Sequence, residues 1–233
     1  MNEPRMVDKD IAIPIGAKRS LPGRCVVPTH ARGLVVFVHG SGSSRHSPRN
    51  RTVAGYLNEL GLGTVLFDLL TQDEEGRRTN VFDIDLLVDR VGNARSWIAE
   101  QDELTGLSLG LFGASTGAAA ALVSAGTIPA GVASVVSRGG RVDMAGRMLP
   151  KVAAPTLFIV GALDTAVLEW NEQAARLLTC EHRVDVVPGA SHLFEEPGTL
   201  DVVAESASRW FIDHFPTHPR RGFDQPSAWS PPS

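Results

Sequence analysis

The sequence predicts an α/β fold with a doubly wound, mainly parallel sheet. Short apolar runs, typical of strands covered on both faces, alternate along the chain with segments of helical periodicity. The connections between them are short, and no repeat or linker interrupts residues 33–215. The 233 residues suffice to bury the core of one such domain. We therefore expect a single domain over residues 1–215, followed by a Pro-rich, disordered tail over residues 216–233.

The N-terminal part is predicted to contain an antiparallel edge hairpin, two further strands and two helices. The hairpin strands are residues 11–15 and 21–27, joined by a polar turn. The further strands are 33–39 and 64–70. One helix lies within 46–61, with Leu60 on its buried face, and the other runs from Asp83 to about Glu100 after a polar loop over 71–80.

The C-terminal part continues the alternation around an uncharged segment. An apolar strand ending at Phe112 is followed by a turn and then a helix from Ala118. The later elements are predicted as strands 132–137, 155–160 and 183–187 and helices 169–178 and 200–215. Residues 138–154 have room for at most one short helix, so we expect no cap domain and an open site.

Composition excludes several classes of protein. The net charge of −4 argues against a nucleic-acid partner. The charged first ten residues do not form a secretory signal, and the Gly, Ser, Thr and Pro of the uncharged segment 104–137 argue against a membrane span, so we expect a cytoplasmic location. Cys25 and Cys180 are too few for a disulfide framework or a cysteine zinc site, and we expect reduced thiols and no metal.

Gly113-Ala114-Ser115-Thr116-Gly117 places one hydroxyl at the apex of a tight strand-to-helix turn. Such a turn strains its central residue and crowds its flanks, which favours Gly113 and Gly117. Ser115 is therefore predicted to be an exposed nucleophile above a helix N-terminus.

A serine nucleophile needs a base, and the base needs a carboxylate to orient it. Asp164 follows strand 155–160 and His192 follows strand 183–187, so both belong to the sheet edge where ligands bind in open α/β folds. Asp143 competes with Asp164, but the Gly-x-x-Asp turn after the strand favours Asp164. His182 and His214 lie at a strand start and on the last helix, which indicates structural roles.

The fourth predicted part is an oxyanion hole. The strand before His39 runs into Gly40, Ser41 and Gly42, whose small residues let backbone N–H groups approach a carbonyl oxygen. We assign the donors to the N–H groups of Ser41 and Thr116. Gly40 and Gly42 shape the loop, as does His39, whose ring we expect to be hydrogen-bonded internally.

In these motifs the chain resembles the α/β-hydrolases, and within them the small, capless group related to dienelactone hydrolase. The resemblance covers residues 11–215 and rests on 39–42, 113–117, Asp164 and His192. It implies hydrolysis of a small ester or lactone through an acyl-enzyme, without a cofactor. Dienelactone hydrolases proper have cysteine where Ser115 stands, which argues against dienelactone as the substrate. Two alternatives stay open, a binding or signalling module without turnover and an acyltransferase.

Two groups of cationic residues should flank the site. Arg45, His46, Arg49 and Arg51 follow the oxyanion loop, and Arg138 and Arg141 follow strand 132–137. Arg45 and Arg138 could bind a carboxylate or phosphate of an anionic substrate. The alternative is a solvated surface or internal pairing with acidic residues, among them Asp68, Asp73, Glu74 and Glu75.

Overall fold

The site is organised by a mixed sheet in a computed structural model that describes residues 5–216. Eight strands form this sheet: β1 Arg5–Ile15, β2 Arg19–Pro28, β3 Gly33–Val38, β4 Gly63–Phe67, β5 Ser108–Ala114, β6 Ser134–Arg138, β7 Thr156–Gly161 and β8 His182–Val187. Their spatial order is β1-β2-β4-β3-β5-β6-β7-β8. Pairs β1–β2 and β2–β4 are antiparallel and all others are parallel. The predicted fold class and edge hairpin are confirmed.

Helices cover both faces of this sheet. The helices are α1 Pro48–Glu59, α2 Gln72–Glu75, α3 Ile84–Ala99, α4 Thr116–Thr127, α5 Thr165–Ala175 and α6 Thr199–His214. Side chains of α3, α4 and α5 pack into one apolar core, and those of α1 and α6 into a second core on the opposite face. This two-sided covering explains why β3, β4, β6 and β7 are buried along their whole length.

Several predicted boundaries were wrong, each for a tertiary reason. Strand β4 ends at Phe67 rather than Leu70, because Leu69 leaves the sheet and donates its N–H to the ring of His39. Helix α5 begins at Thr165 rather than Glu169, and its buried face includes polar Asn171, which apolar periodicity does not register. Helix α1 ends at Glu59, which leaves Leu60 exposed rather than buried.

The predicted polar loop over 71–80 contains the single-turn helix α2, which has a capping box between Thr71 and Glu74. Between β6 and β7 lies a kinked 3₁₀ segment, Val142–Lys151, in place of a cap domain. The predicted tail lies outside the described residues except for Pro216. Within residues 5–216, no helix has the length and apolarity needed to span a bilayer.

Candidate active site

Ser115 lies at the turn between β5 and α4 in a strained backbone conformation. Its φ of 51° and ψ of −123° are unusual for a residue with a side chain. A Cβ at Gly113 would lie 2.4 Å from the Cα of Ala118, and one at Gly117 would lie 2.1 Å from the carbonyl oxygen of Val38. Glycine at both positions therefore lets the strand, the turn and the helix pack without a clash.

The neighbouring strand holds Ser115 through its backbone. The Ser115 N–H donates to the carbonyl of Arg138 at 3.2 Å, and the Arg141 N–H donates to the carbonyl of Ser115 at 3.0 Å. On the other side, a Cβ at Gly40 would lie 2.8 Å from the Cβ of Ser115. The strained turn is thus fixed between the end of β6 and the loop after β3.

Asp164 and His192 are brought together from different strand ends. Nδ1 of His192 lies 2.6 Å from Oδ2 of Asp164. Because a carboxylate only accepts, Nδ1 carries the proton and the neutral ring presents Nε2 as an acceptor. The Asp164 side chain is 16% exposed and that of His192 is 38% exposed, so the imidazole remains accessible while its partner is shielded.

The His192 loop is held by residues that the sequence analysis did not assign. The Ser191 N–H donates to the Glu196 carboxylate at 3.1 Å, and Phe194 is buried with a φ of 54°. Hydrogen bonds from the side chain and then the backbone N–H of Ser191 lower the pKa of Glu196. In the sequence, the indication of this hydrogen bond was weak. It consisted of Glu195 and Glu196 lying shortly after His192.

Ser115 and His192 line the same cavity, which we call the Ser115 cavity. Its volume is about 510 Å³. The other lining residues are Ala114, Arg138, Leu193 and the segments 40–44 and 46–49. Gly42, predicted to shape the loop, has a φ of 69° that favours glycine. The predicted nucleophile, the predicted base and the predicted oxyanion loop therefore face one space.

His39 lies beneath this loop and is buried. Its Nε2 accepts the Leu69 N–H at 3.0 Å, so Nδ1 carries the proton and donates to the carbonyl of Gly40, also at 3.0 Å. Burial lowers the pKa of His39. The ring joins β3 to the segment after β4.

The Ser41 N–H already has a partner in this structure. It donates to the Thr116 hydroxyl at 2.9 Å. The N–H groups of Ser41 and Thr116 are the predicted oxyanion donors, but the hydrogen bond to the Thr116 side chain was not predicted. In the sequence, the indication of this bond was a hydroxyl residue directly after the predicted nucleophile.

Dienelactone hydrolase from Anabaena variabilis, known from a crystal structure, has 48% sequence identity to this chain. The two structures superpose with a TM-score of 0.86. The match covers 90% of this chain and 99% of that one. The chain belongs to the dienelactone hydrolase family of α/β-hydrolases. Est1E from Butyrivibrio proteoclasticus is more distant, with 15% sequence identity and a TM-score of 0.75. The match covers 88% of this chain and 98% of that one. At this identity, the similarity shows the fold alone.

Curated relatives of this α/β-hydrolase occur in two strains of Mycobacterium tuberculosis. Both bear the name "Putative phosphoribosyl transferase" and are 52% identical to this chain over 212 residues. The match covers 91% of this chain but 48% of each relative, so the chain spans about half the length of the curated relatives it matches. No family model matches the chain. Among these comparisons, the similarity to dienelactone hydrolase supports an enzyme of the hydrolase type.

The competing site residues have other partners in this α/β-hydrolase. Asp143 accepts two hydrogen bonds from Arg141, at 3.0 and 2.9 Å. Nδ1 of His182 lies 2.9 Å from the carbonyl of Cys180, and that of His214 lies 2.7 Å from the carbonyl of Trp210. None of these three residues, Asp143, His182 and His214, lines the Ser115 cavity.

The predicted cationic residues line two different cavities. Arg45 forms an ion pair with Asp68 and also donates its backbone N–H to that carboxylate at 2.7 Å. Arg45 and Arg51 line a different cavity. Arg138 lines the Ser115 cavity, so of the two predicted substrate-binding arginines only Arg138 is placed beside Ser115.

Neither cysteine lines the Ser115 cavity. Cys25 is fully buried, and burial raises its pKa to about 11, whereas Cys180 is half-buried. In the described part of the chain, no three His, Cys, Asp or Glu side chains are grouped as a metal site would need.

Proposed function

We propose that this protein is a serine hydrolase that cleaves an ester or lactone of a small substrate through an acyl-enzyme. One observation carries the proposal. The imidazole of His192, oriented by Asp164 at 2.6 Å, faces the same cavity as the strained Ser115. A serine hydroxyl, an imidazole and a carboxylate with these neighbours form the set that acyl transfer needs.

In the first half of the reaction, Nε2 of His192 takes the Ser115 proton as Oγ attacks the substrate carbonyl carbon. Asp164 holds the ring in the required tautomer and stabilises its cationic form. The tetrahedral intermediate collapses as the protonated ring gives its proton to the leaving alcohol oxygen. This step leaves the acyl group esterified to Ser115.

In the second half, water replaces the alcohol. His192 takes a proton from the water, the resulting hydroxide attacks the acyl carbon, and the proton returns to Oγ of Ser115 as the acid leaves. One water is consumed, and one acid and one alcohol are formed from an ester. A lactone gives one hydroxy acid.

Negative charge on the intermediate requires donors close to Ser115. We assign the N–H groups of Thr116, at the start of α4, and of Ser41. Because the Ser41 N–H donates to the Thr116 hydroxyl, it must turn from this oxygen or share its proton when the oxyanion forms.

The proposal is tested by labelling with a fluorophosphonate, which modifies activated serines. We expect labelling of the wild type and none of Ser115→Ala. Ser43→Ala is the matched control, since Ser43 lines the same cavity outside the turn and its variant should still be labelled. Labelling that survives in Ser115→Ala would remove the assignment.

Product analysis with p-nitrophenyl esters and small lactones separates the alternatives. Release of the free acid in the presence of added alcohol supports a hydrolase, and formation of a new ester supports an acyltransferase. A wild type that is neither labelled nor active on any of these compounds would instead support the binding module.

A further inference from the structure

Asn171 is a fully buried polar residue on the inner face of α5. Its Nδ2 donates to the carbonyl of Val167, one turn back in the helix, at 2.7 Å, and to the carbonyl of Gly140 at 2.9 Å. Its Oδ1 is also buried and, among residues 5–216, has no hydrogen-bond partner. An unpaired amide oxygen is unfavourable in such a place. Packing alone would therefore favour an apolar residue here, and the bond that leaves the helix, to Gly140, needs a reason.

Gly140 belongs to a short segment that follows β6, residues 139–141, which we call the 139–141 loop. This loop contacts the strained turn around Ser115. The Arg141 N–H donates to the carbonyl of Ser115 at 3.0 Å, and the Ser115 N–H donates to the carbonyl of Arg138, directly before the loop, at 3.2 Å. The position of the loop therefore helps to set the position of the predicted nucleophile.

The other side of the 139–141 loop lies against His192. A Cβ at Gly139 would lie 3.4 Å from Nδ1 of His192 and 3.3 Å from its carbonyl oxygen. Nδ1 is the atom that donates to Asp164. The Gly139 N–H donates to the carbonyl of Ile159 in β7 at 2.8 Å, which fixes the first residue of the loop. One loop thus touches both the predicted nucleophile and the predicted base.

The centre of this loop has no side chain with which to anchor itself. A Cβ at Gly140 would lie 2.1 Å from Oγ of Ser137 and 2.7 Å from the Cβ of Ala118, so only glycine fits there without a shift. The carbonyl of Gly140 must consequently be held by another element. Within the described residues, Asn171 of α5 supplies the side-chain donor.

Helix α5 holds the loop at two successive residues. Next to Asn171, the ring of Trp170 lies under the guanidinium of Arg141, with 4.7 Å from the guanidinium carbon to the ring centroid. The same helix begins directly after Asp164, which is its N-cap residue. A single helix is therefore connected to Asp164 through the chain and to the loop beside Ser115 and His192 through side chains.

We propose that Asn171 is a positioning residue, which holds the 139–141 loop through Gly140 and thereby sets the separation of the Ser115 hydroxyl and the His192 ring. Its effect on rate rests on the proposed function, whereas its effect on the His192 ring does not. Asn171 does not line the Ser115 cavity, so it acts on the reaction only through the loop.

The first experiment measures kcat and KM of Asn171→Leu with p-nitrophenyl butyrate. Leucine has a similar volume but cannot donate to Gly140. We expect kcat to fall about 10- to 100-fold, because small displacements of reacting groups are costly, and KM to change less than about 3-fold. The thermal midpoint should stay within about 4 °C of the wild type, since the unpaired Oδ1 is removed together with the bond.

Asn58→Leu is the matched control. Nδ2 of Asn58 also donates to a backbone carbonyl, that of Leu62 at 2.9 Å, but Asn58 lines a different cavity from Ser115. Its variant should keep kcat within about 2-fold of the wild type. A folded Asn171→Leu variant with wild-type kcat would overturn the positioning role.

Asn171→Ser tests the bond to Gly140 separately from the bond within the helix. The shorter hydroxyl can still donate to the Val167 carbonyl, as serine does in helices, while Gly140 loses its donor. We expect kcat to fall about as far as in the leucine variant, at least about 10-fold. This variant also provides the measurement if leucine prevents folding. Wild-type kcat in the serine variant would contradict the proposal.

Proton NMR separates this inference from the proposed function. The Nδ1–H proton of His192, held in the 2.6 Å bond to Asp164, should give a resonance far downfield that is lost in Asp164→Asn. We expect Asn171→Leu and Asn171→Ser to shift or broaden this resonance and Asn58→Leu to leave it unchanged. An unshifted resonance in both Asn171 variants would overturn the positioning role, whatever the turnover. A shifted resonance in a protein without turnover would refute the hydrolase and leave the positioning role standing.

Discussion

The Ser41 N–H donates a hydrogen bond to the Thr116 hydroxyl at 2.9 Å, so the residue after the candidate nucleophile holds the loop that follows β3. The two residues are 75 positions apart in the chain. This contact sets the direction of one of the two N–H groups that we assign to the oxyanion hole. Its role can be tested without altering either backbone donor.

Thr116→Val removes the acceptor while keeping the shape of the side chain. We expect the free energy of unfolding to fall by about 1 kcal/mol, because the Ser41 N–H loses its partner. We expect kcat to fall about 10-fold, less than the loss for complete removal of an oxyanion donor. Thr116→Ser, which keeps the hydroxyl, is the control for both measurements. A rise in kcat for the valine variant would show that the hydroxyl competes with the oxyanion for this N–H.

Asp164 and Asp143 are distinguished by paired substitutions. Asp164→Asn keeps the volume but removes the carboxylate that accepts a hydrogen bond from Nδ1–H of His192, so kcat should fall by about 10²- to 10⁴-fold. Asp143→Asn disturbs only a pair with Arg141 and should change kcat less than about 3-fold. Equal losses in the two variants, measured on one neutral ester, would contradict the assignment of Asp164.

Gly117 and Gly55 both lie in helices but differ in their surroundings. A Cβ at Gly117 would meet the carbonyl oxygens of Val38 and His39 at 2.1 and 2.4 Å, whereas one at Gly55 has nothing within 4 Å. Gly117→Ala should therefore lower the free energy of unfolding by about 3 kcal/mol. Gly55→Ala should raise it by up to about 1 kcal/mol. Chemical denaturation measures both, and a Gly117 variant as stable as the wild type would disprove the close approach of β3 to α4.

His39 should make stability depend on pH. Burial holds the pKa of His39 below its ordinary value of 6.5, although the charge of Asp68 acts in the opposite direction. As pH falls below 6.5 the unfolded ring takes up a proton that the folded ring resists. The unfolded state then binds more protons, so stability falls with decreasing pH, by up to about 2 kcal/mol at pH 5.

Substitution of this ring isolates its contribution. His39→Gln should be less stable at pH 8, since the bonds to Gly40 and Leu69 are disturbed, but should lose less stability between pH 8 and pH 5 than the wild type. Denaturant unfolding at several pH values gives both quantities. Parallel pH curves for the two proteins would exclude His39 as the origin of the dependence.

The sequence by itself determined the fold class and the chain positions of the candidate catalytic residues. Buried strands and amphipathic helices are local patterns, and the carboxyl ends of parallel strands share one edge of a sheet. For that reason Ser115, Asp164 and His192 could be assigned to one edge from their places after predicted strands. The tight turn around Ser115 followed from Gly113 and Gly117 in the same way.

Only the tertiary structure decided which polar groups are neutralised and which are left unpaired. Arg45 and Arg138 are alike in sequence, but Asp68 reaches the first and no acidic side chain of the described residues pairs with the second. The Ser41–Thr116 bond and the early start of α5 likewise depend on contacts between distant segments. Periodicity records which face of an element is apolar, whereas the partner of a charge or a hydrogen-bond donor depends on side chains that the fold brings from elsewhere in the chain.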